Sequence, residues 1–133
     1  MRERRLLQAA IAVGALVPVF GGIDGILRGA GLLAASPPDT HIAYLSGLLL
    51  GIGLAFWASI PRIEAQGARV SLLAALVVIG GCARLVAIIA GGIADRSALL
   101  PLAMELGVTP ALWFWQRRVA RLSSRSGEPS PRP

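Results

Sequence analysis

Four blocks of almost unbroken apolar residues, at about 6–27, 41–60, 70–90 and 98–115, constrain this chain more than any other feature. Each is close to the ~20 residues that an α-helix needs to cross a hydrocarbon layer of ~30 Å. A helix that packs in water carries its apolar residues as a stripe with a polar face opposite. These blocks are apolar all round, and 55 % of the chain is hydrophobic against 15 % charged. So little charge cannot cover a folded chain of this size in water. The blocks therefore predict an all-α protein, an integral membrane four-helix bundle, with residues 1–116 as its transmembrane domain.

The connections carry the opposite composition. Residues 29–40 contain Gly29, Gly31, Ser36, Pro37, Pro38 and Asp39, a set of turn formers that predicts a loop. Residues 61–69 form a short polar connection, and 91–96 a tight turn after which Ser97 is placed to cap the fourth helix. Residues 117–133 begin as a basic helical extension and pass into a Ser/Pro/Arg sequence with nothing apolar to bury, which predicts a basic, largely disordered tail. The basic head and first block lack a small-x-small cleavage site, so the block is expected to stay as helix one.

The net charge of +6 comes from 13 basic residues, all Arg, against 7 acidic ones. In a soluble chain that balance would point to nucleic acid; distributed around membrane blocks it sets topology, and no nucleic-acid partner is expected. Head, second connection and tail hold Arg2, Arg4, Arg5, Arg62, Arg69, Arg117, Arg118, Arg121, Arg125 and Arg132. The other side holds only Arg28 and Arg96. This asymmetry predicts a multi-pass protein of the bacterial cytoplasmic (inner) membrane with both termini cytoplasmic. Phe56, Trp57, Trp113, Phe114 and Trp115 fall at the same end, where an interfacial aromatic belt belongs.

Small residues recur at helical spacing. Gly14, Pro18, Gly21, Gly25 and Gly29 share a face of helix one, and Tyr44, Gly47, Gly51 and Ala55 share one of helix two. Lipid is as apolar as leucine, so helices associate in it by close backbone approach, and both faces are expected to be packing faces. FGGIDGIL at 20–27 echoes IGGCARLV at 79–86, as a two-plus-two parallel duplication would. The single Cys82 excludes an intramolecular disulfide and reads as a small core residue.

Ionisable side chains in such blocks cost at least ~2.5–3.5 kcal/mol each, so their positions carry the functional information. By helical rise, Asp24, Tyr44, Arg84 and Glu105 fall in one layer roughly 5–11 Å from the periplasmic side, with His41 at the start of helix two. Arg84 and Glu105 read either as an interhelical ion pair or as the wall of a pocket, in which Arg84 grips an anionic or carbonyl group while Glu105 or Asp24 accepts a proton or hydrogen bond. His41 reads as an interfacial histidine or a proton-exchanging ligand group, and Tyr44 as an interface aromatic. Asp24 is also spaced for a local pair with Arg28. No H-x-x-x-H, C-x-x-C, phosphate loop or G-x-S-x-G occurs, so no metal, cofactor or catalytic residue is predicted.

Three functions fit these residues. The first is a pocket built from His41, Tyr44, Arg84 and Glu105, with Asp24, that binds a small amphiphile or lipid. The second is an accessory or scaffold subunit, associating through glycine faces with itself or with a larger membrane complex, whose buried charges are structural. The third is a membrane-embedded, lipid isomerase-like enzyme using Glu105 or His41 as proton carrier and Arg84 as electrostatic stabiliser.

The stretches HIAYLSGLLLGIGLAFW, GGCARLVAI and MELGVTPALWFWQRR resemble a family of small bacterial membrane proteins, domain of unknown function 4345. The resemblance runs from helix one to the arginines after helix four. Its pattern is carried by His41, Tyr44, Ser46 and Gly47, by Gly81, Arg84 and Leu85, and by Glu105 with Pro110. The resemblance implies a four-helix integral membrane protein and supplies no reaction.

Overall fold

A computed structural model describes residues 2–33, 37–91 and 96–126. Among them every regular element is helical and no strand occurs. Helices α1 (Arg2–Gly14) and α2 (Leu16–Gly29) make the first span, α3 (Thr40–Ser59) the second and α4 (Gly67–Gly91) the third. The fourth consists of α5 (Arg96–Ala103), a π-helical turn (Met104–Val108) and α6 (Thr109–Ser126). All four are long and apolar enough to cross a membrane. The turn at 92–95, the side-chain cap expected of Ser97 and the sequence beyond Ser126 lie outside the described residues.

Local chemistry sets the breaks. Pro18 has no amide hydrogen and its ring crowds the carbonyl four residues back, at Gly14, which is where the first span changes from α1 to α2. Gly31, at φ 72°, ends α2 in a left-handed conformation. The Gly31 amide donates to the Arg28 carbonyl and the Leu32 amide to Leu27, both at 2.9 Å, the paired closure that a glycine in this position permits. Asp39 does more than break a helix. Its Oδ1 accepts from the His41 and Ile42 amides at 2.9 and 3.2 Å and so caps α3.

The first two spans run along each other through very close backbone approach. A Cβ on Gly22 would lie 2.7 Å from the Leu50 amide nitrogen and 2.8 Å from the Ser46 carbonyl oxygen. Gly25 sits on the Ser46 side chain, Gly29 on the backbone of Ala43, and Gly53 of α3 on Val19. The contact face of α3 is thus Ala43, Ser46, Leu50 and Gly53. Among the described residues nothing lies within 4 Å of where Gly47 or Gly51 would carry a side chain, so the expected ladder of Tyr44, Gly47 and Gly51 faces outward. One glycine per level lets two backbones meet; Gly22, Gly25 and Gly29 of the first span and Gly53 of α3 supply it, and a second ladder opposite is not needed.

The arginine-rich end is the densely packed one. Leu7, Ile11, Ile63, Val70 and Val119 form its buried core, with Phe56, Ile60, Leu112, Trp113 and Trp115 against it. Pro61 interrupts the backbone ladder after α3, and side chains take up carbonyls there. Arg4 donates to Pro61 O at 3.0 Å, Gln8 to Ile60 O at 2.8 Å and the buried Gln116 to Ile63 O at 2.9 Å. Arg4 also pairs with Glu64 at 3.1 Å. Head, second connection and α6 are thereby tied into one layer. Away from it the apolar residues point outward: Phe20, Ile79, Val86, Ile89 and Leu100 are all mostly exposed. Cys82 is exposed as well, on the outer side of α4 and not in a core.

Replacing Gly22 by Ala pushes a methyl group into backbone atoms that cannot yield, and is expected to cost about 1–3 kcal/mol. Gly47→Ala meets open space and is expected to fall within about 0.5 kcal/mol of the wild type. Thermal unfolding in a mild detergent measures both.

Candidate functional site

Pro110 disturbs the fourth span as Pro18 does the first. It offers no amide to the Leu106 carbonyl four residues earlier, and here the chain widens into the π turn over Met104–Val108. The Met104 carbonyl instead receives both the amide and the hydroxyl of Thr109, the latter at 2.9 Å. The widened turn brings Glu105 against α4, where Gly81 makes room. A Cβ on Gly81 would lie 2.8 Å from the Glu105 Cβ and 2.9 Å from the Leu106 Cδ2. One turn further along the same face, Arg84 donates from Nε to Glu105 Oε2 and from Nη2 to Oε1, each at 3.0 Å. Two parallel charge-assisted bonds fix both planes, and the pair neutralises two charges that lipid cannot solvate. The Glu105 side chain is only 16 % exposed.

This pair closes one end of a cavity of about 150 Å³ between the two halves of the bundle. Gly14, Ala15, Pro18 and Gly21 of the first span wall it on one side, with Leu49 and Phe56 of α3. Ala74 and Val77 of α4 face them, with Met104, Val108, Thr109 and Leu112 of the fourth span. The bottom lies against Ile11, Val70 and Trp113, beside the arginine-rich core. The Trp113 indole donates to Ser71 Oγ at 2.8 Å and carries the Arg117 guanidinium 4.7 Å above its ring, so that wall is held from both ends.

Of the five residues singled out from the sequence, the structure brings Arg84 and Glu105 together at the cavity. Asp24 pairs at 2.7 Å with Arg28 on the exposed side of α2. His41 and Tyr44 are exposed on α3, and none of these three lines the cavity. Pro101 and Thr109 share the cavity-facing side of the fourth span with Glu105, at spacings of four residues that the sequence displays. The cavity walls themselves are common apolar residues that no motif marks.

A family model described as domain of unknown function (DUF4345) matches residues 6–116. The chain belongs to this family. No curated protein and no solved structure matches it. In this DUF4345 chain the echo between 20–27 and 79–86 has a structural counterpart. In each half the second glycine of the Gly-Gly step, Gly22 or Gly81, seats the following span. Gly22, Gly25 and Ser46 correspond, with one constant offset, to Gly81, Arg84 and Glu105, and in each trio the first two residues both meet the third. The ion pair thus occupies in the second half the place of a glycine–serine contact in the first.

Gly81→Ala forces α4 away from the Glu105 Cβ and the Leu106 side chain and is expected to cost about 1–3 kcal/mol. Gly80→Ala, one residue away with nothing among the described residues within 4 Å of its Cβ position, is the control and should leave thermal stability unchanged.

Proposed function

We propose that this DUF4345 protein sits in the bacterial cytoplasmic membrane with both termini in the cytoplasm, and that its cavity binds one small amphiphile or lipid. The carrying observation is the form of the cavity, mostly apolar along its walls with one charged pair, Arg84–Glu105, toward one end. That is the shape of a site for a molecule with one apolar and one polar end. The orientation rests on the arginines, which cluster at the end where head, second connection and α6 are joined. Binding is favoured over catalysis because both Glu105 carboxylate oxygens are engaged by Arg84, so this carboxylate is not held free as a base at the cavity.

Val77→Phe fills the cavity midway and leaves the ion pair untouched. Native mass spectrometry of protein extracted with its own lipids should show a bound species on the wild type, reduced about tenfold or more on Val77→Phe. If the chain is instead an accessory subunit whose outward face at Gly47 and Gly51 receives a partner helix, Val77→Phe changes nothing that co-purifies.

A further inference from the structure

The reading of the cavity as a binding site extends to the class of ligand. We infer that it takes a single-chain amphiphile with an uncharged, hydrogen-bond-accepting head such as an alcohol, ester or ketone, head against Arg84 and chain directed toward Trp113. This rests on the slot-binding reading above.

The direction follows from the walls. Arg84, Pro101 and Glu105 mark one end, Phe56, Val70 and Trp113 the other. Glu105 and Trp113 lie roughly 12 Å apart along the fourth span at the helical rise. A volume of about 150 Å³ over that length is room for a single short chain of about six carbons. A compact cavity of about that size holds one benzene ring, so a fused-ring or two-chain lipid exceeds this slot. The charge of the head follows from the pair. Arg84 and Glu105 already cancel, so an anionic or cationic head would leave an uncompensated charge in an apolar layer. A guanidinium has five N–H donors and Glu105 takes two of Arg84's, so an accepting oxygen can be bound without breaking the pair.

The probes are three bromine-tailed straight-chain amphiphiles of one length matched to the slot: an alcohol, an alkyl sulfate and an alkyl trimethylammonium. Bromine quenches tryptophan fluorescence at contact, and Trp113 is the reporter at the end of the slot away from Arg84. Protein in lipid nanodiscs is titrated as the Trp57→Phe/Trp115→Phe variant, which keeps Trp113, and as Trp113→Phe in an otherwise unchanged chain. Either variant alone decides the result if the other fails to fold. The alcohol should give saturable quenching that Trp113→Phe removes, and the two charged probes should bind at least about tenfold more weakly. Arg84→Gln/Glu105→Gln, which keeps the layer neutral, should weaken the alcohol about five- to tenfold. Equal or stronger saturable quenching by a charged probe overturns the assignment of the head and leaves slot binding standing. No saturable quenching by any probe overturns slot binding itself.

Discussion

Two opposite charges in a medium that cannot solvate them must find each other, and the pairing of Arg84 with Glu105 organises the far half of this bundle. Bidentate geometry at 3.0 Å demands that α4 and the fourth span approach closely, which Gly81 permits by having no side chain. It also demands that Glu105 be turned toward α4, and the π turn ahead of Pro110 provides that rotation. The pair, the glycine and the irregular turn are one device, and removing any part disturbs the rest.

The two ends of the molecule are built differently. At the arginine-rich end a buried apolar core is reinforced by side chains from the first and last spans that hydrogen-bond to carbonyls of the α3–α4 connection. Away from that end α2 packs mainly on α3, and α4 on the fourth span, so the bundle becomes two helix pairs with a slot between them. A closed base, a divided upper half and one polar pair at the division account for a cavity in a chain this short. The repeated Gly-Gly seats, Gly22 and Gly81, show why the pairs are alike, and the substitution of an ion pair for Gly25 and Ser46 shows where they differ.

The four spans, the family and the meeting of Arg84 with Glu105 were legible in the sequence, because block length, hydropathy and the cost of charge in lipid leave few alternatives. Which glycines pack was not. Tyr44, Gly47 and Gly51 have the spacing of a packing face, yet α3 presents Ala43, Ser46, Leu50 and Gly53 to α2, since the glycines on α2 already admit its backbone. Tyr44 shared depth with the ion pair, and the glycine face it shares with His41 was expected to turn inward; that face turns outward instead, so neither residue reaches the cavity. The π turn has a visible cause in Pro110, but Pro18 merely breaks a helix, so the residue type alone does not decide between the two outcomes. Slot walls such as Val77 and Leu112 carry no signal, being residues that any span contains.

The most direct test of this account is a double-mutant cycle on the pair, read as thermal unfolding of Arg84→Gln, Glu105→Gln and the double variant in one lipid environment. Each single change strands a charge in the apolar layer and should cost about 3–5 kcal/mol, whereas the double variant should recover most of that loss, with a coupling of about 2 kcal/mol or more. Additive losses, with the double variant the least stable of the three, would show that the two charges are solvated independently and that their pairing does not organise the bundle.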